Sequence, residues 1–189
     1  MISIVTATKQ HIPIIRELAN HLWPVAFASI LSAQQIDYMM DMMYSPASLE
    51  QQMDDGHQYA IASENNVNVG YMSYETSHNK SDKTKIHKLY ISPHYQRRGI
   101  GKAMIDHVAQ QALETNNNAL FLNVNKYNTQ AINFYRKHHF FLSKKEEIDI
   151  GNGFIMDDFV FELSLNEMSV LRKINSSAPT TKSPRGDFG

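Results

Sequence analysis

Between Ile86 and Lys102 the chain reads IHKLYISPHYQRRGIGK, a short apolar strand that meets a basic turn with two glycines and then a helical pattern to about Leu113. A strand, tight turn and helix in that order make an α/β unit, and this turn is built to receive a pyrophosphate. Gly99 and Gly101 let the backbone approach a ligand, while the helix that follows aims its unpaired N–H groups and positive dipole end at the same point. Arg97, Arg98 and Lys102 surround that point with cations. Spacing then separates the phosphate-binding patterns. A P-loop needs a glycine where Gln96 stands and Ser or Thr where Ala103 stands. The dinucleotide fingerprint needs Gly or Ala where Met104 stands.

What remains is Gln96-x-x-Gly99-x-Gly101 after a strand, and a second motif follows it. Leu120-Phe121-Leu122-Asn123-Val124-Asn125 alternates as a strand, and Asn128-Thr129-Gln130-Ala131-Ile132-Asn133-Phe134-Tyr135-Arg136-Lys137 reads as a helix of the form N-x-x-A-x-x-F-Y-x-K. With both motifs in order, residues 1 to about 165 resemble the GCN5-related N-acetyltransferase (GNAT) family, which binds acetyl-coenzyme A. The resemblance implies an α/β fold: a mixed, mostly antiparallel sheet of about seven strands, splayed in the middle, with helices on both faces. It implies that the coenzyme meets Gln96, Arg97, Arg98, Gly99, Ile100, Gly101 and Lys102 at the pyrophosphate. Backbone donors of Leu89, Tyr90 and Ile91, and the helix residues Asn128, Ala131, Phe134 and Tyr135, would hold the rest. Tyr135 matches the tyrosine whose hydroxyl serves the departing sulfur; read without the family it is a core aromatic. Asn128 matches a pantetheine ligand and is equally an N-cap.

Composition agrees with one compact enzyme domain. The chain has 189 residues, 42% of them hydrophobic, enough for a single sizeable core. A formal charge of −1 gives no general attraction to nucleic acid or anionic membrane, so neither is an expected partner. With no cysteine, disulfides, thiolate metal sites and a Cys acyl-enzyme are excluded, which suits a cytoplasmic location. No run reaches the length of a membrane span and no leader pattern opens the chain.

Elsewhere, Ile2–Thr6 alternates as a strand, and a helix after Thr8 carries Ile12, Ile15, Leu18, Ala19 and Leu22 on one face. A second helix is expected from Ser32 through Met43 and a third from Pro46 through Met53. Tyr59–Ala62 and Val67–Tyr74 read as a hairpin around Asn65-Asn66, with His78–Thr84 as loop. Phe140–Leu165 holds two strands around Gly151-Asn152-Gly153. The Ser/Pro/Thr/Lys-rich residues 166–189 read as an unstructured tail. His139 stands where the resemblance places a helix-ending glycine, a left-handed position that His tolerates only at a cost, so the chain departs from the family pattern at this helix end.

Transfer to an amine requires a base, because an ammonium has no lone pair. Glu75, at the hairpin's end, and His87, on the strand before the turn, are the candidates; ordered water is the family's other solution, and both residues also read as ordinary strand side chains. Nine histidines invite a metal, but no HExxH-like spacing occurs and the adjacent His138-His139 cannot converge on one ion, so none is expected. The acceptor is left as a polyamine or other small amine, with a peptide amine and a non-catalytic acyl-coenzyme A sensor as alternatives. Trp23, Phe27, Tyr38 and neighbouring methionines lie where the family shapes its acceptor pocket, though such a stripe is also plain core. Asp157 and Asp158 could draw a cationic amine or sit in an exposed turn. A homodimer is compatible with all of this.

Overall fold

The structure, a computed structural model, describes residues 1–166. The tail expected over 166–189 lies outside the described residues save for Asn166. Among the described residues seven strands form one sheet, in the order β1-β2-β3-β4-β5-β7-β6. They are β1 (Ile2–Ala7), β2 (Gln58–Glu64), β3 (Val67–Glu75), β4 (Lys83–Ile91), β5 (Ala119–Asn125), β6 (Phe141–Gly151) and β7 (Phe154–Ser164). Every neighbouring pair is antiparallel except β4 and β5, which run parallel and are joined through a helix.

Helices cover both faces. α1 (Ile12–Phe27), α2 (Ala33–Tyr44) and α3 (Pro46–Asp54) bury Ile15, Trp23, Met39 and Leu49 against Tyr59, Ile61 and Tyr71. On the other face α4 (Ile100–Glu114) and α5 (Thr129–Lys137) bury Met104, Val108, Ile132 and Tyr135 against Met72, Ile86, Leu120 and Phe161. Strand alternation divides the two cores: successive side chains of β2 and β3 go to opposite sides, so each strand feeds both.

Local signals explain most boundaries. Ser32 Oγ accepts from Gln35 N at 3.2 Å and Ser45 Oγ from Ser48 N at 3.2 Å, capping α2 and α3. Asn65 and Asn66, with φ of 52° and 66°, make the left-handed pair that a two-residue hairpin needs between β2 and β3. His139, with φ of 66°, ends α5 in the conformation for which glycine is usual.

One boundary differs from the sequence reading, and the structure fixes another that the sequence reading left open. α1 continues past Leu22 and through Pro24 to Phe27. Pro24 costs one helical hydrogen bond, about 3 kcal/mol, and burial of Trp23 and Phe27, each worth about 1.5–3 kcal/mol, offsets it. The segment expected as loop becomes strand from Lys83, because Lys83 and Thr84 find partners in Ala119 and Leu120. No helix among the described residues is long and apolar enough to cross a membrane.

Candidate active site

The sheet opens at its centre. β4 and β5 pair only from Lys83–Ile86 to Ala119–Leu122, and beyond those residues they part. β4 still pairs with β3 as far as Ile91, so its inner edge from His87 to Ile91 faces no strand among the described residues. A bulge accompanies the parting: Ser73 lies opposite Lys88 and Tyr74 opposite Ile86, leaving His87 as the extra residue. Alternate backbone N–H groups on that freed edge, which includes Leu89, Tyr90 and Ile91, can donate to a ligand lying in the opening.

A cavity of about 150 Å³ occupies this opening. Leu89, Tyr90, Val124, Asn125, Asn128, Ala131 and Tyr135 form its sides, and Trp23, Phe27, Met39 and Tyr44 close it from the α1–α2 face. The aromatic wall is itself bonded together, with Trp23 Nε1 donating to Tyr44 Oη at 2.8 Å and Tyr71 Oη to the same oxygen at 2.7 Å. Thus the aromatic stripe of the first helices is core and cavity wall at once. Tyr38 instead donates to Ile150 O at 3.0 Å, tying α2 to the β6–β7 turn, and His21 is exposed.

The glycine turn lies between β4 and α4. Arg97 has φ of 61° and Gly99 φ of 87°, on either side of Arg98. Such left-handed alternation turns successive N–H groups to one side, a nest for an anion. No backbone N–H from Arg97 to Gly99 donates to a backbone carbonyl among the described residues, and Ala103 N is the first of the helix to do so, to Gly99 O at 3.0 Å. The two glycines differ in purpose. A Cβ on Gly99 would meet nothing within 4 Å, so that glycine is there for its backbone angle, whereas a Cβ on Gly101 would lie 2.8 Å from Phe134 Cζ. Gly101 and Phe134 therefore lock α4 to α5, and Ile100 is buried beside them.

The cations are less uniform than the sequence suggests. Arg98 pairs with Glu64 at 3.0 Å and lies over the Tyr95 ring, and Lys102 pairs with Asp106 at 2.6 Å. Arg97 is exposed and has no side-chain partner among the described residues. Gln96 holds the turn to β4 by donating to Ile91 O at 3.1 Å, and Gln130 donates to Gln96 Oε1 at 2.6 Å.

Tyr135 packs among Phe134, Phe140 and Phe161, and its hydroxyl has no hydrogen-bond partner among the described residues. Burial holds its pKa well above the usual phenol value, so it is a proton-bearing donor at the cavity. Asn128 caps α5, its Oδ1 accepting from Ala131 N at 3.1 Å, which leaves its amide N–H groups for the cavity it lines.

Asp158 emerges as a residue that sequence reasoning left undecided. It is 2% exposed and lines the same cavity as Tyr135. Burial, then the carboxylates of Asp157 and Glu146, push its pKa up to about 6. Asp157, on the opposite face of β7, pairs with Lys126 instead. Lys88, also on the cavity wall, donates to Gln52 Oε1 at 2.6 Å and lies near the Tyr44 and Tyr59 rings; burial brings its pKa down to about 8.

His87 and Glu75 are brought together, with Nε2 and Oε2 3.2 Å apart, but within a cluster of imidazoles. His87 stacks on His57 with ring centroids 4.0 Å apart, and burial, then His57, Lys85 and Lys88, lowers its pKa to about 2. Such a ring is a poor proton acceptor near neutral pH.

Comparison with known proteins agrees with this architecture. The PaiA N-acetyltransferase of Thermoplasma acidophilum, in complex with coenzyme A, superposes with a TM-score of 0.71 at 21% identity over 87% of this chain and 99% of that one. The spermidine/spermine N-acetyltransferase SpeG of Vibrio cholerae gives 0.65 at 13% identity over 90% and 98%. In sequence, the peptidyl-lysine N-acetyltransferase YjaB of Salmonella typhimurium is 38% identical over 61 residues, which are 32% of this chain and 39% of that protein. Residues 15–140 match the model of the acetyltransferase (GNAT) family, a span that runs from α1 through the glycine turn to the end of α5, and the chain belongs to that family.

Proposed function

We propose that the protein transfers the acetyl group of acetyl-coenzyme A to a primary amine by direct attack within a ternary complex, with Asp158 as the base and Tyr135 as the donor to the departing sulfur. The observation that carries this reading is the placement of a buried carboxylate and a buried phenol, unpartnered among the described residues, on one cavity where the sheet parts. The family membership and the coenzyme A bound by PaiA support the donor. In balance, an ammonium and a thioester give an amide, a thiol and one proton. Asp158 takes one proton from the ammonium and releases it to solvent, the amine nitrogen attacks the carbonyl carbon, a free N–H of β4 stabilises the oxyanion, and as the C–S bond breaks the second nitrogen proton passes by way of Tyr135 to the departing sulfur.

The wall also limits the acceptor. Asp158 is the sole carboxylate among the described residues lining the cavity, and the Lys88 ammonium is engaged by Gln52 Oε1. A polycation would meet a single anion there. An acceptor with a single ammonium on a narrow apolar arm suits the aromatic lining better, and a lysine side chain is such an arm. Thiol release measured against alkylamines, lysine peptides, spermidine and aminoglycosides tests this. Turnover led by monoamines or lysine peptides is expected; a strong preference for spermidine would overturn the acceptor assignment. Stabilisation by acetyl-coenzyme A with no release from any amine would favour a sensor.

The pyrophosphate assignment has its own test. Gly99→Glu sets a carboxylate at the mouth of the nest, and repulsion of about 2 kcal/mol weakens coenzyme A binding roughly thirtyfold. Calorimetric titration reads it, and an unchanged Kd would remove Gln96–Lys102 from the phosphate role.

A further inference from the structure

The cluster that disqualifies His87 as a base has the composition of a metal site. His57 lies just before β2, Glu75 ends β3 and His87 is the bulged residue of β4, so two adjacent strands and the approach to a third deliver one side chain each. One ligand-type atom from each of the three lies within 4.8 Å of the others, and all three residues are partly buried. We propose that His57, Glu75 and His87 form a binding site for a zinc-like divalent cation.

Two imidazoles and one carboxylate are a donor set suited to Zn²⁺ and its first-row neighbours. With metal–ligand bonds of about 2.0–2.1 Å, the edge of a tetrahedron is roughly 3.4 Å. The 3.2 Å between His87 Nε2 and Glu75 Oε2 is close to that edge. The His57 ring lies alongside that of His87, at 18° to it, and its ligand atom is already within 4.8 Å of the other two. His78 Nδ1 stands 2.7 Å from the same Glu75 oxygen and positions the carboxylate, leaving the fourth coordination position for water. The electrostatics are mixed: Lys88 acts on both histidines and Lys85 on His87 against a cation, while Glu75 and Asp55 act on His57 in its favour.

The sequence concealed this site because its spacings, 57, 75 and 87, follow no helical or loop motif. The register of β2, β3 and β4 assembles it. The inference stands independently of the proposed acetyl transfer, and an ion bound here would hold Glu75 and His87 away from proton transfer.

The test is titration of the intact protein with CoCl₂, read by visible absorption, and with ZnCl₂ against a chromophoric chelator. The expected result is one equivalent bound at micromolar Kd or tighter, with a cobalt band of tetrahedral intensity. His57→Ala, Glu75→Gln and His87→Ala should each weaken binding at least about 10²-fold, while His21→Ala, an exposed histidine on α1, should not. Circular dichroism confirms that each variant is folded. Absence of saturable binding by the unmodified protein would overturn the proposal without recourse to any variant. Binding that survives in all three variants would place the ion at other histidines and overturn it equally.

Discussion

Asp158→Asn is expected to lower kcat/KM by about 10²–10³-fold, the range for removal of a positioned base. The substitution keeps shape and removes the proton acceptor, so the Kd for acetyl-coenzyme A should be unchanged. A second signature distinguishes a base from a structural carboxylate. Asp158 has its pKa raised to about 6 in the fold, against about 3.9 in an unfolded chain. Folding therefore favours its protonated form: the stabilisation it contributes is fully present below pH 3.9 and is lost as pH rises through about 6. At neutral pH the buried charge opposes folding by on the order of 2–3 kcal/mol, so the Asn variant should melt no lower than the parent at pH 7.5 while being nearly inactive. The parent's kcat/KM should rise with pH through an apparent pKa near 6, and that limb should vanish in the variant. Turnover within threefold of the parent, or a limb retained in the variant, would return the base role to water or to Glu75.

Sequence reached much of this architecture because the decisive signals were local. Ser32, Pro46, Asn65-Asn66 and the two motif helices mark their own boundaries through capping, fixed φ or left-handed tolerance, none of which depends on distant residues. His139 was legible for the same reason. Features that depend on register were not. Asp157 and Asp158 alternate as any strand residues do, and only the pairing of Asp158 with Asn125 on one side and Glu146 on the other shows which carboxylate is buried. The bulge at His87 leaves no mark in composition, yet it gathers His57, Glu75 and His87. Arg98 and Lys102 look alike in the motif, and the positions of Glu64 and Asp106 give both of them partners while Arg97 has none among the described residues.

Tyr135→Phe is expected to lower kcat by about 10–10²-fold while changing the Kd for acetyl-coenzyme A less than threefold. The phenyl ring keeps its contacts with Phe134, Phe140 and Phe161, and no hydrogen bond within the described residues is lost, so stability should stay within about 0.5 kcal/mol. What disappears is the donor to sulfur. Burial raises the phenol's pKa far above that of a thiol, about 8.5, so Tyr135 cannot give its proton to the thiolate and remain ionised. It can hold the departing sulfur by a hydrogen bond and pass on a proton only as the acylated nitrogen supplies another. Its contribution is thus confined to the bond-breaking step, where charge reaches the sulfur, and not to the ground state. Single-turnover measurement should show the chemical step slowed by the full factor, with product release unaffected. A loss that appears in coenzyme affinity instead, or no loss at all, would make Tyr135 a core aromatic and leave the sulfur to the solvent.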